Sequence, residues 1–235
     1  MSAKAEVLAQ PELVEFAAHK KAPHRVGADG EIQGWNPEAF ANEQIRGLVR
    51  RVFFAGNGQQ SRHVVFSAAE PHMDVSEICD QVGQALARET GSDVAVVSRS
   101  SALEKFAQAR FQFAGVGSIK SLSVQISANL WHVPEARLRE STQKSGVGLW
   151  MSCLAQLRSE FGYAVIHGPA AGTSSEAAVL GQLADGIILI LGANTTRKAT
   201  AYKIKQNLQG AHSRILGTVL SERRFPVPER IYRRL

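Results

Sequence analysis

Four side chains that can carry charge or bind ions lie in short polar segments that directly follow apolar, strand-like runs. They are His72, Asp74, Arg99 and His167. Ligands of open α/β sheets bind beyond the carboxyl ends of the strands, so we expect these side chains to lie near one another. Imidazole, carboxylate and guanidinium groups together could bind an anion or a metal ion. Their spacing matches no metal-site signature, and we favour the alternative in which they are packed or solvated without a ligand.

The segments that must position these side chains alternate between two hydrophobic patterns. Short apolar runs typical of strands occupy 63–67, 94–97, 129–133, 163–166, 186–191 and 214–220. Helical patterns occupy 38–53, 75–89, 102–110, 146–161, 175–183 and 196–209. Parallel strands need long crossover connections, and the helices in those connections bury both faces of the sheet. The sequence therefore predicts an α/β fold: a doubly wound, mostly parallel sheet flanked by helices.

Length and composition favour one large domain with short extensions. The chain has 235 residues, of which 44% are hydrophobic and 20% charged, as in ordinary globular proteins. We expect a flexible N-terminal arm at 1–36, with a short helix at 11–20, then a folded domain at 37–222 and a basic tail at 223–235. Five of the last thirteen residues are arginine. The tail thus favours an acidic partner, with a solvated surface as the equal alternative.

Cysteine usage and the N-terminal sequence indicate the compartment. Cys79 and Cys153 lie in apolar, helix-like stretches without the spacing of a disulfide framework or a metal pair, so we expect buried free thiols. Charged residues interrupt the first sixteen residues, which is not the pattern of a secretory signal. Apolar runs are far shorter than the ~20 residues of a membrane-spanning helix. The sequence predicts a cytoplasmic protein.

Several stretches of sequence resemble one known family. FGYAVIHGP, DGIILIL and ILGTVLSE resemble the blocks F-D-Y-V-I-I-D-x-P, D-G-x-x-L-V-V and x-L-G-x-V-L-N of the cytoplasmic bacterial tyrosine kinases of capsule and exopolysaccharide synthesis. VVFSAAEPHMDVSEICDQVGQALA is similar to that family's first strand, phosphate loop and helix, and NLWHVPEA to its x-L-x-V-L-P-x-G strand. The family belongs with the MinD/ParA-type P-loop ATPases. The resemblance implies that 37–222 is a P-loop NTPase-like domain.

The resemblance places the phosphate loop, G-x-x-x-x-G-K-S/T in the family, at residues 69–76. In a working loop, glycine lets N–H groups surround the phosphates, lysine bridges them and the hydroxyl holds Mg²⁺. Here Ala69 and Asp74 stand at the glycine positions and Val75 at the lysine position. Only Ser76 keeps the functional identity. The loop has therefore lost a cation and gained a carboxylate.

The resemblance also places three replaced residues at positions that activate the attacking hydroxyl or support the metal ion. Ser98 and Ser100 stand where the family has two aspartates after its second strand, and His167 stands at the Walker B aspartate. Phosphoryl transfer depends almost entirely on positioning and electrostatics, so these positions leave little freedom. We therefore predict a degenerate nucleotide cleft with no catalytic residue, no ATP or Mg²⁺ cofactor and no other metal.

Two further family features are only partly kept. The kinases carry an E-x-x-R-x-x-R oligomerisation motif on the helix before the first strand; here Glu43 and Arg46 match, but Val49 holds the third position with Arg50 beside it. We predict a homo-oligomer or partner interface at Glu43, Arg46 and Arg50. The family's tyrosine-rich, autophosphorylated tail is reduced to Tyr232, which we interpret as a docking residue, with phosphorylation as the alternative.

The leading functional hypothesis is a non-catalytic, pseudokinase-like regulator or adaptor in exopolysaccharide or capsule biosynthesis and export. Its partner would be a membrane-embedded polysaccharide chain-length regulator or a related kinase subunit, which would bring it to the inner membrane. The first alternative is an active ATP-dependent protein tyrosine autokinase of the same family. The second is a ParA-like protein that binds DNA or acidic membrane through the arginine-rich tail, although nucleic acid is the less favoured partner.

Overall fold

A computed structural model of the protein describes residues 13–15, 37–54, 60–99, 118–142 and 146–221. Within these residues, eight strands form one sheet in the order β1-β8-β7-β2-β6-β3-β5-β4. The strands are β1 (Leu13–Glu15), β2 (His63–Ala68), β3 (Val94–Ser98), β4 (Val124–Ser127), β5 (Leu130–Pro134), β6 (Tyr163–His167), β7 (Gly186–Gly192) and β8 (Ile215–Ser221). All pairings are parallel except that of β4 with β5.

Seven helices accompany the sheet within the described residues. They are α1 (Pro37–Phe53), α2 (Ser76–Thr90), α3 (Ile119–Leu122), α4 (Glu135–Thr142), α5 (Gly146–Glu160), α6 (Glu176–Leu183) and α7 (Lys198–Gly210). None of the described helices combines the length and the apolar character needed to cross a bilayer.

Both faces of the sheet are buried, as a parallel sheet requires. Successive side chains of a strand point to opposite faces, so in β2 Val64 and Phe66 join one hydrophobic cluster and Val65 joins the other. The first cluster contains the apolar faces of α1 and α2, and the second contains those of α5 and α7. The predicted α/β architecture is confirmed.

The structure adds or corrects four elements near the margins of the sheet. Leu13–Glu15 form a parallel strand on the outer edge of β8, so the helix predicted over 11–20 is wrong at these residues. Pairing with an open edge gives backbone N–H and C=O groups partners, and this outweighs a weak local helical pattern. The sequence patterns also did not predict α3, β4 or α4. The helix predicted at 102–110, the rest of the 1–36 arm and the tail at 223–235 lie outside the described residues.

Helix α2 approaches β3 closely at Gly83. A Cβ atom added there would lie 2.3 Å from Val96 Cγ2, whereas one added at Gly47 in α1 meets nothing within 4 Å. Both Gly→Ala changes gain helix propensity, but overpacking typically costs about 1–3 kcal/mol. We expect Gly83→Ala to lower the free energy of unfolding in urea, and Gly47→Ala to raise it by up to about 1 kcal/mol. Equal stability of the two variants would contradict the close packing of α2 on β3.

Candidate functional site

Two loops meet at the carboxyl edge of the sheet, where the phosphate loop was predicted. The loop after β6 donates two backbone hydrogen bonds to the end of β2 and its loop, from Ala171 N to Ala68 O (2.8 Å) and from Gly172 N to Ala69 O (3.1 Å). A Cβ atom at residue 172 would lie 2.3 Å from Ala69 O, so only glycine allows this approach. The Ser67 hydroxyl also donates to Pro169 O at 2.6 Å. These three hydrogen bonds therefore hold the two loops together.

The Asp74 carboxylate lies at the N-terminus of α2. Its Oδ1 atom accepts a hydrogen bond from the Ser76 N–H at 2.8 Å. This bond lowers the pKa of Asp74 below its ordinary value, so the carboxylate is charged at neutral pH. A helix N-terminus favours an anion because its N–H groups lack partners within the helix. Here an internal carboxylate takes the donor that a bound phosphate would use.

The rest of the loop offers few donors for an anion. Val75, which was predicted to stand at the lysine position, is fully buried in the hydrophobic cluster between α2 and the sheet, so its side chain faces the core. Pro71 has no N–H, and the Met73 N–H donates to Glu70 O at 3.3 Å. The loop is thus closed by hydrogen bonds of its own and by apolar packing.

His167, at the end of β6, faces the start of α2. Its Nδ1 atom shares a hydrogen bond with the Ser76 hydroxyl at 3.3 Å. Burial lowers the pKa of His167 below its ordinary value of 6.5, although the nearby Asp74 carboxylate opposes this shift. The imidazole is therefore neutral at pH 7. It shares a hydrogen bond with the Ser76 hydroxyl, the group that would hold Mg²⁺ in a phosphate loop.

The end of β3 is filled by a second pair of polar groups. The Ser98 hydroxyl is buried and lies 3.0 Å from Nε2 of His132, a buried residue on β5. The next residue, Arg99, donates from Nε to the Glu135 carboxylate at 3.2 Å. Ser100 lies outside the described residues. The position predicted for one family aspartate thus holds a hydroxyl that packs against an imidazole.

An ionic network extends from Glu135 along the same edge of the sheet. Glu135 is nearly buried and also accepts hydrogen bonds from Arg139, which reaches Glu176 at 3.3 Å. Glu176 accepts a further hydrogen bond from the indole N–H of Trp150. The network joins α4, α5 and α6, and its two carboxylates are already engaged. Among the described residues, no group of three or more His, Cys, Asp or Glu side chains could hold a metal ion.

The structure brings together three of the four ionisable residues singled out in the sequence. Asp74 and Arg99 both lie close enough to His167 to affect its pKa. His72 is 61% exposed and lies 3.4 Å from Glu70 in its own loop. Sequence reasoning missed Glu135 and His132, although Glu135 directly follows a strand-like run and could have been found on that ground.

The predicted interface residues lie on the exposed side of α1. Arg46 and Glu43 form an ion pair of 3.9 Å within the helix, and Arg50 lies 3.7 Å from Glu89 of α2. Val49, at the third motif position, is fully buried and anchors α1 to the domain. Tyr232 lies outside the described residues. The interface at Glu43, Arg46 and Arg50 stays a prediction.

The buried imidazole of His167 gives a prediction about pH. Its pKa is lowered in the folded state, so below pH 6.5 the unfolded chain binds a proton more readily than the folded chain. The stability associated with the neutral imidazole is full above that pH and falls as pH drops toward the lowered pKa. We expect His167→Gln to flatten the dependence of the urea midpoint on pH between about 7 and 5. The exposed His72→Gln is the matched control, and an equal effect of both variants would contradict this assignment.

Comparison with known proteins gives matches among solved structures. No family model and no curated protein matches the sequence. The kinase domain of VpsO has a TM-score of 0.60 and 18% identity, covering 80% of this chain and 98% of that one. The kinase domain of the Escherichia coli tyrosine kinase ETK has a TM-score of 0.54 and 15% identity, covering 80% and 79%. MinD from Aquifex aeolicus has a TM-score of 0.53 and 14% identity, covering 74% and 73%.

These solved structures are 18% identical to this chain or less. At such identities they concern the fold. The chain has the mostly parallel α/β fold that tyrosine kinase domains of the ETK and VpsO type share with the MinD and ParA ATPases.

Proposed function

We propose that this protein is a non-catalytic, pseudokinase-like regulator or adaptor in exopolysaccharide or capsule biosynthesis and export. The observation that carries the proposal is the Asp74 carboxylate on the Ser76 N–H, with Val75 buried beside it. The family's cleft needs a free donor and a lysine at these two positions. The fold is kept, while the protein's own Asp74 carboxylate takes the place of a bound anion.

The expected cost to nucleotide binding is large. Loss of the lysine and gain of a carboxylate would each weaken phosphate binding by on the order of 1–3 kcal/mol in a partly desolvated site. Together these effects move a micromolar affinity toward the millimolar range. His167 adds to the loss, because a neutral imidazole bonded to Ser76 supplies no negative charge for the water shell of Mg²⁺.

The proposed partner is the cytoplasmic segment of a membrane-embedded polysaccharide chain-length regulator, or a related kinase subunit. The exposed side of α1 supports a contact of this kind. It carries Glu43, Arg46 and Arg50, together with Phe40, which is 38% exposed. Charged residues around an exposed aromatic side chain are typical of a transient protein interface.

Exchange of the α1 charges tests this proposal. The double variant Glu43→Arg, Arg46→Glu keeps an ion pair within the helix but inverts the pattern that a partner meets. We expect the wild type to capture the regulator's cytoplasmic segments in a pull-down, and the double variant to fold normally and lose capture. Arg88→Glu on α2 is the control. Failure of the wild type to bind any regulator or kinase subunit would contradict the adaptor role.

The second candidate is an active ATP-dependent tyrosine autokinase, favoured by the retention of Ser76 at the start of α2. It predicts transfer of labelled phosphate from Mg-ATP to Tyr232, abolished by Tyr232→Phe and by Ser76→Ala. Absence of transfer over hours with the purified chain, with a known kinase domain as positive control, would exclude it.

A further inference from the structure

Positive charge is concentrated in the last part of the chain. Residues 186–221 contain five Lys or Arg residues and no Asp or Glu. The cations are Arg197, Lys198, Lys203, Lys205 and Arg214. The first 185 residues contain 17 Lys+Arg and 19 Asp+Glu, so the positive net charge of the whole chain comes from the C-terminal part.

Four of these cations lie on or just before α7. Arg197, Lys198 and Lys203 are exposed and Lys205 is half-buried, and none of the four forms an ion pair with a described residue. Tyr202 lies among them and is 59% exposed. The exposed side of α7 therefore presents cationic groups that have no ion-pair partner in the part of the chain that the structure describes, and they surround one phenol ring.

The buried side of α7 limits how it can bind. Ile204 and Leu208 are 3% and 2% exposed and pack in the hydrophobic cluster on the sheet, so they are not available to enter a bilayer or a partner's groove. Docking through the outer side must be electrostatic, with the tyrosine as its one large, partly apolar contact. Tyrosine is enriched at membrane interfaces, where its ring lies at the level of the lipid headgroups.

We infer that the exposed side of α7 (Arg197, Lys198, Tyr202, Lys203 and Lys205) is a docking surface for an anionic lipid membrane. A lipid surface presents a diffuse negative field and requires no groove or row of stacking rings. Single-stranded nucleic acid is the poorer fit, because it binds to successive aromatic side chains and α7 exposes one. The contact would be peripheral, direct and independent of any protein partner.

Vesicle sedimentation with the full chain tests the inference. The probe is phosphatidylcholine vesicles with and without about 30% phosphatidylglycerol, at low and physiological salt. We expect binding only to the anionic vesicles. In the variant Lys198→Gln, Lys203→Gln, Lys205→Gln, we expect the partition coefficient to fall by on the order of 100-fold, since each cation near the surface contributes about fivefold.

The control removes the same charge from another surface. Arg46→Gln, Arg50→Gln, Arg88→Gln takes three cations from α1 and α2 and is expected to bind the anionic vesicles within about twofold of the wild type. The inference is overturned if the wild type does not bind anionic vesicles, or if the two triple variants lose binding equally. Tighter binding to a DNA duplex or an acidic polypeptide of equal charge concentration would also overturn it.

Discussion

Val75→Lys is expected to lower the free energy of unfolding by about 3–5 kcal/mol, because it places an unpaired ammonium group in a hydrophobic core. Val75 is fully buried in the cluster that includes Ile78 and Val82 of α2. In a working phosphate loop the lysine at this position faces the nucleotide. Here the Val75 side chain faces the core instead, so a lysine at this residue would place its ammonium group in the core. The change is measured by urea denaturation at pH 7.

A matched variant separates charge from size. Val75→Met has an unbranched side chain of comparable length without the charge, and overpacking is expected to cost about 1–3 kcal/mol. The destabilisation by lysine should also shrink as pH rises and the buried ammonium loses its proton. Equal stability of the lysine and methionine variants at pH 7 would mean that residue 75 reaches the cleft and that the loop is open to nucleotide.

Restoring the family's residues together is expected to create nucleotide binding. The variant combines Asp74→Gly, Val75→Lys, Ser98→Asp, Ser100→Asp and His167→Asp. Glycine at residue 74 frees the Ser76 N–H and removes the hydrogen bond that holds the loop closed, so that the lysine can leave the core and face the cleft. The aspartates return the groups that activate the attacking hydroxyl and support the metal ion. At about 100 times its dissociation constant, Mg-ATP stabilises by about 2.7 kcal/mol. For a chain of this size that corresponds to a rise in Tm of roughly 5–10 °C.

The control for the restored variant keeps aspartate at residue 74 and carries the other four changes. With the carboxylate still on the Ser76 N–H, its response to Mg-ATP should be much smaller. Circular dichroism and a cooperative melt establish that each variant is folded. A folded restored variant that does not respond to Mg-ATP would show that the cleft has been placed at the wrong residues.

The fold followed from local patterns that the structure repeats closely. The apolar run at 186–191 becomes β7 because both of its faces are buried, and the helical pattern at 146–161 becomes α5 because its buried residues recur at helical spacing along one side. The margins were harder to predict. Strand β1 has three residues and depends on the open edge of β8, which is more than two hundred positions later in the sequence.

The sequence shows which residues of the predicted nucleotide cleft are replaced, but not which contacts the replacing residues make. Residues 74 and 75 could be recognised as replaced, yet the sequence does not say that the Asp74 carboxylate turns back onto Ser76 or that Val75 joins the core. Arg139 pairs with Glu135 at the local helical spacing of four residues, but its contact with Glu176 joins α4 to α6 and depends on tertiary geometry that no local spacing encodes. The same holds for Ser98 and His132, which meet across two strands.

Isothermal titration of the wild-type chain with Mg-ATP is the most direct test of whether Asp74 and Val75 prevent nucleotide binding. We expect no binding heat below about millimolar ATP, and no change in Tm at physiological concentrations of Mg-ATP. The kinase domain of ETK serves as the positive control under the same conditions. A dissociation constant in the micromolar range that Ser76→Ala abolishes would contradict the account and favour the autokinase.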